Sequence, residues 1–100
     1  MPTFVLMTRT TPEQLADARG RRAAGKRWLN KVQTACPQVK WVAHYALLGP
    51  YDYMDIYEAP DVETATRVSL ISRAAGALSA ESWQAMPYDS FLKLLEEVQE

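Results

Sequence analysis

The feature that most constrains this chain is Leu48-Gly49-Pro50-Tyr51-Asp52, set between two aromatic-rich runs and followed by Glu58-Ala59-Pro60-Asp61. A Gly-Pro pair interrupts an extended ladder, because proline lacks the N–H and glycine favours a turn. Val39–Leu48 and Tyr51–Glu58 therefore read as the two strands of one hairpin. Five of the ten aromatic residues fall in it: Trp41, Tyr45, Tyr51, Tyr53 and Tyr57.

The other elements are placed by caps and periodicity. Thr3–Thr8 is apolar or β-branched and reads as the first strand. Thr11-Pro12-Glu13-Gln14 starts a helix: Thr11 caps, Pro12 suits the first helical position, and Gln14 completes a capping box. That helix is expected to reach Ala35 with Leu15, Ala18, Leu29 and Val32 facing inward. Gly20 and Gly25 each weaken it by about 1 kcal/mol relative to alanine and allow a kink. Asp61 caps a second helix, in which Val62, Ala65, Val68 and Ser72 recur at helical spacing, and Gly76 stops it. Ala77–Met86 reads as the fourth strand, patterned by Leu78, Trp83 and Met86. After Pro87, Asp89 or Ser90 is placed to cap a last helix carrying Phe91, Leu94, Leu95 and Val98 on one face. The order β-α-β-β-α-β plus a C-terminal helix is the α+β, ferredoxin-like arrangement, with helices on one face of an antiparallel sheet. With no interior linker, residues 1–100 are expected to form one domain.

Charge and cysteine content narrow the function classes. Eleven basic against twelve acidic residues leave a net charge of −1, which argues against nucleic acid as a partner. The single cysteine, Cys36, excludes an internal disulfide and a cysteine zinc site. One histidine among scattered acids gives no metal-ligand spacing, and no phosphate-binding glycine loop is present, so no metal and no cofactor are expected. No run approaches the roughly 20 apolar residues needed to cross a bilayer, and the N-terminal run is too short for a signal peptide. A cytoplasmic protein without membrane contact is expected. Arg19, Arg21, Arg22, Lys26, Arg27 and Lys31 form a basic run that could bind phosphate or an acidic partner but reads first as a solvated helix face. Helical spacing puts Arg19, Arg22 and Lys26 on one flank and Arg21 away from them.

The hairpin raises a question of cover. In its second strand, one parity holds Tyr51, Tyr53, Asp55 and Tyr57, and the other Asp52, Met54, Ile56 and Glu58. Met54 and Ile56 read as the helix-covered core, which sends the tyrosines and Asp55 to the open face. An aromatic surface of that kind calls for a second subunit laid against it, so a homodimer is expected.

The run from Tyr45 through Leu48-Gly49-Pro50-Tyr51-Asp52 to Glu58-Ala59-Pro60-Asp61 resembles the GYD-domain family, named for its Gly-x-Tyr-Asp signature. Ser79-Ala80-Glu81-Ser82 is similar to the family's Arg-Thr-Glu-Thr strand. The chain departs from the pattern at His44, where an aromatic or apolar residue is usual, at Pro50, which replaces a charged one, and in its richness in arginine. The resemblance implies a dimeric α+β barrel, related in shape to regulator ligand-binding domains and to small cofactor-free monooxygenases. It implies no established activity.

Candidate chemistry centres on the hairpin. A two-residue turn sets His44 opposite Asp55 on the tyrosine face, whereas a three-residue turn points His44 to the helices; sequence leaves both registers open. In the first, His44 and Asp55 form a catalytic pair of general base and orienter. In the second, His44 is a core residue. Asp55, unusual in mid-strand, needs partners or a proton, or else fixes a dimer's register. Asp52, just after the turn, is expected to tie up loop N–H groups. Trp41, Tyr45, Tyr53, Tyr57 and Trp83 are the candidate ligand-binding residues. The leading expectation is a dimeric barrel that binds an apolar or aromatic small molecule or serves as an assembly module. The alternative is a cofactor-free monooxygenase, isomerase or cyclase acting on an aromatic or polycyclic substrate.

Overall fold

In a computed structural model, which describes residues 1–99, the chain forms eight elements. They are β1 (Thr3–Arg9), α1 (Pro12–Leu15), α2 (Ala18–Ala35), β2 (Lys40–Ala46), β3 (Tyr53–Glu58), α3 (Val62–Ala74), β4 (Ser79–Ala85) and α4 (Tyr88–Val98). The four strands lie in the order β2-β3-β1-β4 and every neighbouring pair is antiparallel. This is the ferredoxin-like βαββαβ fold with an added C-terminal helix.

Local chemistry sets the helix ends. Thr11 accepts from the Gln14 N–H at 3.2 Å, with Pro12 in the first turn. The expected long first helix is broken, and the break falls at Ala16-Asp17 rather than at a glycine. Asp17 restarts it as α2 by accepting from the Gly20 N–H at 3.0 Å. An aspartate at such a point offers the backbone a cap in place of a continued helix. Gly20 permits the close approach, since a Cβ there would sit 2.2 Å from Asp17 Oδ2. Asp61 caps α3 through the Thr64 N–H at 2.8 Å and the Thr64 hydroxyl at 2.6 Å. Those two hydrogen bonds hold the Asp61 carboxyl below the ordinary carboxylate range. Gly76, with φ +103°, occupies the left-handed region just past the end of α3. α4 begins directly after Pro87 with no side-chain cap, so neither Asp89 nor Ser90 takes that role.

The hairpin adopts the register that sets His44 opposite Asp55, with Ala46 opposite Tyr53. The ladder closes with the Leu47 N–H donating to the Asp52 carbonyl at 2.9 Å, leaving Leu48–Tyr51 as the loop. An irregularity between Trp41 and Ala43 leaves Val42 unpaired. This bulge brings Trp41 and His44, three positions apart, onto one face of the sheet.

The expected face assignment is reversed. Tyr53, Asp55 and Tyr57 point towards the helices, whereas Met54 and Ile56 alternate to the open face. Tyr57 is fully buried. Its ring stacks on Phe4 with centroids 5.6 Å apart and packs on Trp41 at 5.2 Å. Its hydroxyl and that of Ser82 are hydrogen-bonded at 2.7 Å. Burial therefore pushes the Tyr57 phenol above its ordinary pKa. Tyrosine suits this position because its large apolar ring fills the core while its hydroxyl finds a partner. Phe4, Leu6, Val32 and Val68 complete the centre of the core between sheet and helices.

Replacing Tyr57 separates these two contributions. Tyr57→Phe should cost about 1 kcal/mol, one hydrogen bond. Tyr57→Ala should cost about 3–5 kcal/mol, as for other large-to-small aromatic truncations. Urea denaturation of the two variants checks the ordering.

Candidate functional site

α2 is anchored to the rest of the molecule towards its C-terminal end. Val32 is fully buried there, and the Trp28 indole N–H donates to Ser72 Oγ at 2.7 Å, tying α2 to α3. The Trp28 ring packs on Trp41 at 5.2 Å. Nearer its N-terminus, α2 presents Ala18, Ala24 and Gly25 to the sheet, too small to close the gap. A cleft of about 1010 Å³ results between α2 and the β2–β3 hairpin, at the upper end of the range for small-molecule sites.

The hairpin wall of the cleft carries Trp41, His44, Tyr53 and Asp55. Asp55 is only 5% exposed and is hydrogen-bonded through its Oδ1 to His44 Nδ1, while the imidazole itself remains largely exposed. Burial raises the Asp55 pKa, and the charge and hydrogen bond of His44 oppose that rise in part. The pair thus combines a desolvated carboxylate with a solvent-facing imidazole, an arrangement suited to holding or relaying a proton at the second ring nitrogen. His44 and Tyr53 stack at 6.2 Å, with their planes inclined by 21°. On the helix wall, the Arg21 guanidinium lies 5.3 Å from the centroid of the Tyr53 ring and donates to Gln14 at 3.3 Å. Arg22 and Lys26 line the same wall.

The expected site residues therefore divide. His44, Asp55, Trp41 and Tyr53 share the cleft, and Tyr57 lies behind them in the core. Tyr45 and Trp83 belong to the open sheet face and remain 54% and 46% exposed. Trp83 packs edge-on against Tyr51 at 5.8 Å. The Tyr51 hydroxyl donates to Glu81 at 3.0 Å, which pushes the phenol pKa up. Among the described residues no cluster of three or more histidines, cysteines or acids is arranged to hold a metal ion. No helix among them is long and apolar enough to cross a membrane.

Comparison with known proteins places this architecture. The family model for the GYD domain matches residues 4–95. The chain belongs to the GYD-domain family. It is also 30% identical over 87 residues to a protein of Thermus thermophilus named glutamine synthetase and cystathionine beta-lyase binding protein. That similarity covers 87% of this chain and 90% of the relative. No solved structure gives a significant match.

The structure supplies a role for the aspartate of the GYD signature. Asp52 Oδ2 accepts from the Thr10 N–H at 2.8 Å, and the Asp52 N–H donates to the Thr8 carbonyl at 2.9 Å. The carboxylate thus ties the hairpin to the end of β1, rather than satisfying its own loop, and fixes the strand that carries Tyr53 and Asp55.

Arg21, Arg22, Lys26 and Trp28 were absent from the site expected from sequence, where the basic run read as a solvated face. Helical phase carried the missing signal. Arg21, Gly25 and Trp28 share a stripe with Leu29 and Val32, so Arg21 lies on the inward side of α2, whereas Arg22 and Lys26 line the cleft while staying exposed.

The raised Asp55 pKa has a defined consequence for stability. As pH rises above the ordinary value of 3.8, the unfolded chain loses this proton before the native state does. The native state then holds more protons, and the stability contributed by this carboxyl falls as pH rises through its folded pKa. Asp55→Asn, which keeps the shape without the titration, should therefore gain on the wild type between about pH 4 and neutrality. Urea midpoints for both proteins across that range give the difference.

Proposed function

We propose that this GYD-domain protein is a homodimeric assembly module that docks onto partner enzymes. The observation that carries this reading is the similarity, across nearly the whole chain, to a relative named for binding glutamine synthetase and cystathionine beta-lyase. The surface supports it. Strand alternation places Val5, Met54 and Ile56, each half-buried, around a buried Met7 on the sheet face away from the helices, with Tyr45 and Trp83 exposed beside them. The case for a dimer thus passes from the tyrosines of β3 to these residues. α4 adds a second apolar surface: Phe91, Leu94 and Val98 are 46%, 48% and 77% exposed, and no residue of the helix is buried. Apolar area of this extent is what self-association and partner binding cover.

Light scattering at micromolar concentration should give about twice the monomer mass, and Ile56→Glu, at the middle of the open face, should shift it to monomer. A wild type that stays monomeric at the highest attainable concentration removes the dimer from this reading. Purified glutamine synthetase and cystathionine beta-lyase from the same organism test the docking role directly. Co-elution with either supports it, and co-elution with neither counts against it.

The cleft favours a second reading, in which the domain binds a small molecule between α2 and the sheet. Its volume, its aromatic wall and the His44–Asp55 pair support this. The site is on the helix-covered side, so ligand binding and association through the open face are compatible.

A further inference from the structure

We propose that the cleft between α2 and the hairpin selects a planar aromatic anion, an aryl carboxylate or its equivalent, over neutral molecules of the same shape. This rests on the small-molecule reading of the cleft and adds the chemical class of its ligand.

Charge is the first argument. Three cations, Arg21, Arg22 and Lys26, line the cleft against a single acid, Asp55. That acid is buried and engaged by His44, so its charge is already partnered. None of the three cations forms an ion pair among the described residues. Arg21 is positioned by Gln14 and the Tyr53 ring, not by a carboxylate. A cluster of like charges held together without a counterion is unfavourable by itself and becomes favourable when an anion enters. Guanidinium groups suit a planar carboxylate, because their N–H forks match its two oxygens.

Shape is the second argument. The hairpin wall opposite the cations carries flat rings, Trp41, Tyr53 and the His44 imidazole, and Trp28 of α2 packs against Trp41. An aromatic ligand gains stacking and apolar burial there, while its charged end reaches the cations of α2. The buried indole N–H of Trp41 also has no acceptor among the described residues, which marks this wall as incompletely satisfied. An aliphatic anion would leave the rings unused, and a neutral arene would leave the cations unpaired.

Naphthoate and naphthamide, nearly identical in shape and differing in charge, test the inference. Trp83→Phe leaves Trp28 and Trp41, both lining the cleft, as the only indoles. Heteronuclear NMR of their N–H signals then reports on this site alone, and calorimetry gives the affinities. Naphthoate should move both indole signals and bind about tenfold tighter than naphthamide, the margin expected of a charge-assisted contact. The double variant Arg22→Gln, Lys26→Gln changes two exposed side chains, and it should reduce that preference to near unity. Equal binding of the two probes overturns the anion selectivity and leaves the small-molecule reading standing. A preference that survives the double variant overturns the assignment to these cations. Indole signals that respond to neither probe overturn both.

Discussion

A continuous stack of aromatic rings from Trp28 through Trp41 and Tyr57 to Phe4 is the interaction on which the rest of this structure depends. Successive centroids lie 5.2, 5.2 and 5.6 Å apart, so the stack runs from α2 across β2 and β3 to β1. Each such contact contributes about 0.5–1.5 kcal/mol beyond the apolar area it buries. Its bulk also holds the helix at a fixed height above the sheet at one end. Small residues at the other end cannot fill that height, and the cleft is the space left over. The bulge at Val42 is part of the same device, because it turns Trp41 and His44 to one side.

The polar groups are arranged around this frame. Desolvating Asp55 is unfavourable, and the hydrogen bond from His44 offsets it only in part, as the raised carboxyl pKa records. A buried acid in mid-strand is thus held against the preference of its residue type, a local inconsistency that more often accompanies function than stability. By contrast, Asp17, Asp52 and Asp61 each accept backbone N–H groups at a turn or a helix start. These three aspartates act on the fold, and Asp55 acts on the cleft.

Much of the fold was legible because its signals are local. Thr11-Pro12, Asp61 and Gly76 mark ends whose capping chemistry involves residues only a few positions away. The parity of the hairpin was not legible. Met54 and Ile56 are as apolar as a core requires, and Tyr53 and Tyr57 are as amphipathic as a surface tolerates. Both faces of β3 carry substantial apolar area, so alternation identified two faces without saying which one the helices cover. The same ambiguity hid the helix wall of the site. Arg21 on α2 reads as solvated until the cleft beneath it gives its inward phase a meaning.

The sequence by itself determined the order and type of the elements and the membership of the GYD family, because periodicity, caps and a short signature are properties of neighbouring residues. It also narrowed the hairpin to two registers, one of which the chain adopts. Tertiary structure decided the rest: which side of the sheet receives the tyrosines, where the first helix breaks, and which cations face the His44–Asp55 pair. Those outcomes depend on packing between segments far apart in the chain. There the volume of Trp28 against Trp41, rather than any local preference, sets how far the helix stands from the sheet.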